Sequence, residues 1–212
     1  MMNTIFRNIL ISAAIATTTV AADAQMIKVN GPATLAGTPN IGYEHGLSPH
    51  LSVSADVMWL PYLSKKHEEV FRSFQMAGEC RYYFKASEHI YDKMATGWYA
   101  GVYAMFGNFN IGLYRHHDMD RSFRRQGWGC SAGLSGGWKY EFNRHWQMDI
   151  NLGIGYAHIQ YNKYKLGGMY RHYPLKRKQT RGWVGPTRFS ISFGYIIDCG
   201  CRKNNANWTP QS

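Results

Sequence analysis

The sequence lacks any apolar run long enough to cross a bilayer as a helix, which takes about 20 residues. This absence excludes a membrane protein built from transmembrane helices. Acidic residues are also scarce, with 13 Asp and Glu against 24 Lys and Arg, so the formal net charge is +11. No internal repeat or low-complexity segment is present, so a repeat architecture is not indicated.

The longest apolar run, residues 9–20, lies near the N-terminus and follows the positive charge of Arg7. A small-x-small site, Ala22-Asp23-Ala24, comes directly after it, as in secretory signal peptides. The run is too short for a membrane anchor. We therefore expect residues 1–24 to be a cleaved signal peptide and the mature chain to begin at Gln25.

The region from residue 126 to 161 alternates between two kinds of side chain, with a break at residues 143–145. Side chains alternate faces along a strand, so each half of this region has one apolar face and one small or polar face. Long apolar faces with aromatics near their ends are typical of strands that face lipid. The apolar set is Trp128, Cys130, Ala132, Leu134, Trp138, Tyr140 and Phe142, followed by Trp146, Met148, Ile150, Leu152, Ile154 and Tyr156.

Composition favours a membrane barrel over a secreted β-sandwich. Aromatics make up 15% of the chain and glycine is plentiful at 22 residues, yet the mean hydropathy is only −0.39. A barrel with a polar interior combines these properties, whereas the solvent face of a sandwich should be charged rather than glycine-rich. We predict an all-β fold, an eight-stranded antiparallel outer-membrane barrel over residues 25–197, with residues 198–212 as a short polar tail.

The same alternation predicts eight strands, and it places three long connections at one end. Splitting the first segment into two strands at residues 36–38 gives the even number usual in bacterial barrels. Long connections at 61–71, 107–125 and 162–181 are expected on the outer side, and short turns at 46–50 and 143–145 on the periplasmic side. The predicted strands are 26–35, 39–45, 51–59, 74–84, 98–106, 126–142, 146–161 and 185–197.

Nine charged side chains fall on the inward faces of these strands, and their charges nearly balance. They could line a polar conduit or fill the barrel as a paired plug. An eight-stranded barrel is about wide enough for side chains alone, and buried charges persist only when paired, so the sequence favours the plug. The predicted network is Lys28, Glu44, Asp56, Glu79, Arg81, Lys139, Glu141, Asp149 and Arg188.

The positive excess lies outside the predicted strands, mainly in the connection at 162–181. Nucleic-acid binding is one interpretation of a pI near 9.6, but the basic runs carry no aromatic stacking platform. Contact with phosphate groups of outer-leaflet glycolipid, or with an acidic surface partner, is preferred to nucleic-acid binding. A loop that is merely solvated is the other open interpretation. The predicted contact residues are Lys163, Lys165, Arg171, Lys176, Arg177, Lys178 and Arg181.

Metal and catalytic sites have weaker support. His116, His117 and Asp118 are adjacent, but without metal-ligand spacing we expect solvated loop residues and no metal or cofactor. A lipid-modifying enzyme would need His158 beside Ser190 or Ser192, with an orienting acid that the pattern does not supply. Four cysteines occur, and nothing in the pattern assigns them a catalytic role: Cys80 and Cys130 in the outward phase, Cys199 and Cys201 in the tail.

Several short motifs resemble a bacterial family of uncharacterised outer-membrane β-barrel proteins, defined as a domain of unknown function. The resemblance covers roughly residues 26–197. It implies a small OmpA-type barrel without established catalytic residues, with surface fimbriae or other envelope proteins as partners. Because only residues 198–212 follow, a fused peptidoglycan-binding domain is not expected. The motifs are Thr38-Pro39-Asn40-Ile41-Gly42-Tyr43-Glu44, Arg81-Tyr82-Tyr83, Gly127-Trp128, Ser135-Gly136-Gly137-Trp138, Ile154-Gly155-Tyr156-Ala157 and Gly185-Pro186-Thr187.

The sequence thus predicts a non-enzymatic outer-membrane barrel with a structural or surface-interaction role. Its expected partners are outer-membrane lipid, including anionic glycolipid, and envelope or fimbrial proteins. A narrow pore and a lipid-modifying enzyme are the alternatives. Nucleic acid is not an expected partner.

Overall fold

The computed structural model describes residues 25–63, 70–86, 94–112, 123–143, 145–165 and 174–197. The predicted signal peptide and the polar tail lie outside these residues. Eight strands and one short helix make up the described chain. They are β1 (Gln25–Asn30), α1 (Gly31–Leu35), β2 (Asn40–Gly46), β3 (Leu51–Leu63), β4 (Val70–Tyr83), β5 (Gly97–Gly112), β6 (Phe123–Glu141), β7 (Trp146–Lys165) and β8 (Pro174–Ile197).

The strands form one closed barrel in sequence order, and every neighbouring pair is antiparallel. The ring closes between the first and last strands, where Gln25 pairs with Ile197 and Asn30 with Ser192. Closure leaves no free edge where two neighbouring strands are equally long. The predicted fold class, an eight-stranded antiparallel barrel of the transmembrane type, is confirmed.

Alternation along the strands separates an apolar outer surface from a polar interior. On β7, Leu152 and Ile154 are exposed on the outside, whereas Asp149 and Asn151 are buried inside. The same division holds on β6, where Leu134 is exposed and Ser135 is buried. Apolar side chains that face outward in this number need a hydrocarbon environment, which is the arrangement of a membrane barrel.

The first predicted strand, 26–35, is too long. The strand ends at Asn30, and α1 follows before β2 begins at Asn40. Asn30 caps this helix, because its side-chain oxygen accepts a hydrogen bond from the Ala33 N–H at 3.2 Å. Pro32 occupies the first turn, where a residue without an N–H is tolerated in a helix but would break a sheet ladder. The predicted division into two strands is otherwise correct.

The three long outer connections are shorter than predicted, because the strands continue well past the apolar alternation. Strands β7 and β8 remain paired as far as Tyr164 and Pro174, so most of the predicted connection at 162–181 is sheet. Likewise β5 extends to Gly112 and β6 begins at Phe123. These outer segments are rich in charged side chains, so they lack the apolar period that marks a lipid-facing strand.

Aromatic side chains form a belt around the inner end of the barrel, as predicted. Trp138, Tyr140 and Phe142 contact one another in series on β6 and just beyond it, the first pair tilted and the second edge to face, with ring centroids 5.5 and 5.2 Å apart. Trp146 meets Tyr195 edge to face at 5.4 Å. At the outer end, Trp128 on β6 lies 6.2 Å from Phe106. Such belts mark the two interfaces of a membrane-spanning barrel. No helix among the described residues has the length and apolar character needed to cross a bilayer.

Candidate functional site in the barrel lumen and at its cationic rim

A single cluster of charged side chains fills the inner half of the lumen, and each of the eight strands contributes at least one residue. Its four cations face four carboxylates, and its polar partners are hydroxyl and amide groups. The ionised members are Lys28 (β1), Glu44 (β2), Asp56 (β3), Glu79 and Arg81 (β4), Lys139 (β6), Asp149 (β7) and Arg188 (β8), and Tyr99 represents β5.

Glu44 lies at the centre of the cluster and is completely buried. Its Oε1 accepts from Lys139 Nζ at 2.6 Å, and its Oε2 accepts from Arg81 Nη1 at 3.0 Å and Lys28 Nζ at 3.2 Å. Ser52 and the Tyr83 hydroxyl also donate to Oε1, each at 2.8 Å. A buried carboxylate is stable only when paired and hydrogen-bonded, and five donors meet that need.

Arg81 links Glu44 to the other two buried carboxylates. Its Nη1 lies 2.7 Å from Asp149 Oδ2, and its Nη2 lies 2.7 Å from Glu79 Oε2. Its guanidinium carbon also stands 4.6 Å from the centre of the Tyr99 ring, and the Tyr99 hydroxyl donates to Asp149 at 2.6 Å. Removing this one side chain would therefore take a close cation from each of the three buried carboxylates.

The structure brings together eight of the nine residues predicted for the lumen network. The ninth, Glu141, is the last residue of β6 and lies half-buried at the inner end of the barrel, opposite Gln147. Period-2 alternation gives the face of a residue but not its height along the barrel axis. The alternation therefore predicts the face of Glu141 but not its position at the inner end.

Below the cluster, an apolar group closes the inner opening. Met26, Met94 and Ile196 pack together and are at most 3% exposed. Met94 lies in the connection between β4 and β5. A methionine in a polar turn carries no periodic signal, so the pattern could not identify it as a seal. Residues 87–93 of this turn lie outside the described residues.

The outer half of the lumen contains a cavity with a mostly apolar lining. Its volume is about 290 Å³. Trp183 on β8 pairs with Ala157 on β7, and both residues line this cavity. Thr187, whose hydroxyl is hydrogen-bonded to the Tyr103 hydroxyl, also lines it. The other inward-facing lining residues include Met105, Phe109 and Ile159.

The outer ends of the described strands carry nine cations, and no Asp or Glu occurs in the described segments 59–63, 70–74, 107–112, 123–128, 158–165 and 174–183. The backbone N–H of Lys178 donates to Asn162 Oδ1 at 2.8 Å, which holds β8 against β7 at this level. Lys163 lies over the Phe123 ring at 3.4 Å. This cationic rim comprises Arg72, Arg124, Arg125, Lys163, Lys165, Lys176, Arg177, Lys178 and Arg181.

Six of the seven predicted contact residues therefore lie on the rim, although on extended strands rather than in a loop. The seventh, Arg171, lies outside the described residues, as do Cys199 and Cys201. The same is true of His116, His117 and Asp118. Within the described chain, no group of three or more His, Cys, Asp or Glu side chains could hold a metal ion. Cys80 and Cys130 are free thiols, and both are exposed on the outer surface, the face that their phase predicts.

The residues that a lipid-modifying enzyme would need are kept apart. The His158 ring faces outward, 5.9 Å from Trp128. Ser190 pairs with Asn151, which comes seven positions before His158 on β7, so roughly 23 Å of strand separates Ser190 from the level of His158. Segments 129–133 and 133–137 spell G-x-S-x-G, but both lie within β6 rather than at a strand-to-helix turn. Ser135 is buried there and donates to Glu79.

Comparison with curated proteins gives no match. Among solved structures, the chain is similar to the N-terminal β-barrel domain of Pseudomonas aeruginosa OprF, with 14% identity, coverage of 82% of this chain and 98% of that one, and a TM-score of 0.40. It is also similar to the E. coli outer membrane protein W, with 14% identity, coverage of 85% and 100%, and a TM-score of 0.35. A family described as a protein of unknown function, DUF3575, matches residues 8–197. The chain belongs to this DUF3575 family.

Proposed function

We propose that this protein is a non-enzymatic outer-membrane barrel that does not conduct ions. In this proposal its cationic rim binds the phosphate groups of anionic glycolipid in the outer leaflet. The barrel provides a rigid, closed support, and the rim provides the contact surface.

The observation that carries the first half of the proposal is the bond between Lys139 and Glu44. Strands β6 and β2 lie opposite each other in the ring, so this 2.6 Å ion pair spans the lumen. Arg81 adjoins it on one side, and the seal of Met26, Met94 and Ile196 lies beneath. An ion entering this section would have to displace buried, paired charges, which is costly.

The second half rests on the sign of charge at the rim. Lys176, Arg177 and Lys178 are exposed on one outer segment of β8, and Arg181 follows on the same strand. Lys and Arg bind phosphate through charge-assisted hydrogen bonds. Each basic residue near an anionic surface contributes about 1 kcal/mol. The rim is therefore suited to phosphorylated sugar heads, and a surface protein with an acidic face is the alternative partner.

The rim is tested with the protein in phosphatidylcholine nanodiscs and a labelled, phosphorylated glycolipid oligosaccharide as the probe. Lys178→Gln should weaken binding about fivefold, and the triple change of Lys176, Arg177 and Lys178 to Gln should weaken it further. Lys85→Gln is the matched control, because Lys85 is exposed at the inner end of the barrel.

Raising the salt concentration should weaken binding by the wild type, because salt screens the attraction between the rim cations and the phosphate groups. The triple variant has lost three of these cations and should be affected less. Equal binding of a dephosphorylated probe would refute phosphate recognition and turn attention to a protein partner. Closure is tested separately by planar-bilayer recording, where a steady conductance would favour the narrow pore.

A further inference from the structure

The wall of the barrel is much lower on one side than on the other. Strands β1 and β2 have 6 and 7 residues, whereas β8 has 24. The last β1 residue, Asn30, pairs with Ser192 on β8. The first β2 residue, Asn40, pairs with Met58 on β3. Above these two levels, β8 and β3 have no strand between them.

The result is a notch in the wall, bordered by residues 174–191 of β8 and 59–63 of β3, with α1 at its base. The edge of β8 that faces the notch pairs with no described strand above Ser192, and the facing edge of β3 pairs with none beyond Met58. Unpaired sheet edges at membrane depth occur only where they line a cavity or are covered. The notch therefore needs an occupant wherever it lies within the lipid.

The outward side chains around the base of the notch are apolar and lie within the lipid-facing surface. Ile41 is 58% exposed and Phe189 is 64% exposed, with Val57 beside them on β3. All three also line a cavity of about 190 Å³. Asn30 and Asn40, the residues at which the two short strands stop below the notch, line the same cavity, so the cavity lies directly behind the missing part of the wall. The notch therefore connects the lipid phase to the lumen.

The inner end of this cavity is polar, and Arg188 supplies hydrogen-bond donors that no described residue accepts. The Arg188 side chain is 6% exposed, and its Nη2 donates to Asp56 Oδ2 at 2.8 Å. Its Nε and Nη1 have no partner among the described residues. Buried donors are rarely left unpaired, so this position calls for an oxygen acceptor. Gln75, Asn30 and Asn40 line the same cavity.

The acceptor need not be charged. The four cations and four carboxylates of the lumen cluster balance, and Asp56 already stands beside Arg188. A phosphate or carboxylate would add negative charge next to that carboxylate. A hydroxyl or carbonyl oxygen would satisfy the same donors without upsetting the balance. The cavity is also below the usual size of a pocket that encloses a whole ligand, which begins at about 300 Å³, so only a head group would fit.

We infer that the notch binds a neutral single-chain lipid from the bilayer, of the monoacylglycerol class. The hydroxyl and carbonyl oxygens of its head accept from Arg188 inside the cavity. Its acyl chain lies outside against Ile41, Val57 and Phe189. This site is distinct from the cationic rim and does not depend on glycolipid binding there.

The test uses the full mature chain in phosphatidylcholine nanodiscs without glycolipid, with a photoreactive monoacylglycerol as the probe. Crosslinks in the wild type should concentrate on the notch. Arg188→Lys keeps a cation beside Asp56 but removes the unpaired guanidinium donors, and it should reduce labelling affinity about tenfold. Labelling by a photoreactive alkane, which has no head group, should stay the same in both proteins.

Ile41→Ser and Ile154→Ser form a second, matched pair, because both isoleucines face outward and are 58% exposed. Only Ile41→Ser should weaken the labelling. Crosslinks spread evenly around the barrel, or unaffected by either notch variant, would overturn the inference. Stronger competition by a fatty-acid anion than by the neutral lipid would refute the neutral head group. Crosslinks between two copies across the notch would identify a protein occupant instead.

Discussion

Lys139 and Glu44, 95 residues apart in the chain, meet in the centre of the barrel with 2.6 Å between Nζ and Oε1. They extend from opposite strands and are both essentially inaccessible to solvent. The pair is therefore a crossbar of the barrel as well as a barrier across its lumen. Because the same ion pair links opposite strands and blocks the lumen, a change in the free energy of unfolding reports on the contact that closes the lumen.

Replacing Lys139 with Met should lower the free energy of unfolding by about 3–5 kcal/mol, because it leaves the buried Glu44 short of one partner. Urea titration of the folded barrel in phospholipid vesicles measures this loss. Lys139→Met combined with Glu44→Gln should cost less than the sum of the two single changes, since the two residues are in contact. Strict additivity would contradict the direct coupling, and Lys85→Met serves as a surface control.

Gly137 and Gly136 give a matched pair of tests on β6. A Cβ at Gly137 would overlap the Tyr99 hydroxyl and the Ile150 carbonyl oxygen, whereas the nearest atom to a Cβ at Gly136 is the Tyr99 carbonyl oxygen at 3.9 Å. Gly137→Ala should therefore destabilise the barrel by about 1–3 kcal/mol through overpacking. Gly136→Ala, facing lipid, should change the unfolding free energy little. Equal effects in urea unfolding would show that the inward packing is wrong.

The inner seal should tolerate volume-conserving changes but not charge. Met94→Leu keeps the apolar contact with Met26 and Ile196 and should cost less than about 1.5 kcal/mol. Met94→Asp would bury an unpaired carboxylate there and should cost several times more. The midpoint of heat-dependent gel migration compares the two variants. A harmless Met94→Asp would mean that the turn does not close the barrel.

The two strand cysteines should report which face meets lipid. Cys130 and Cys80 are exposed on the outer surface. In vesicles of the Cys199→Ser, Cys201→Ser variant, a membrane-soluble maleimide should label both, and a charged thiol reagent should label neither. After transfer to a detergent that exchanges freely, charged labelling should rise. Rapid labelling by the charged reagent in vesicles would show that Cys80 and Cys130 face water and not lipid.

Parts of this architecture are readable from local patterns, and others are not. The alternation around Trp128 and Leu134 assigns both strand and face, because the side-chain period is set by the backbone alone. The end of β1 at Asn30 was missed, since Pro32 and a capping asparagine occur within an otherwise extended pattern. The outer ends of β7 and β8 were missed because their charged side chains, such as Lys176 and Arg177, have no apolar period.

The sequence by itself determined the barrel class, the inward or outward face of most strand residues and the excess of positive charge toward one end. Tertiary structure alone decided which inward residues share a level. Register between strands far apart in the chain sets that level, and it brings Lys139 to Glu44 while leaving Glu141 at the inner end. It also decided that short β1 and β2 beside long β8 leave a notch beside Arg188. Local chemistry fixes a side chain's direction, but only the stagger of paired strands fixes its height.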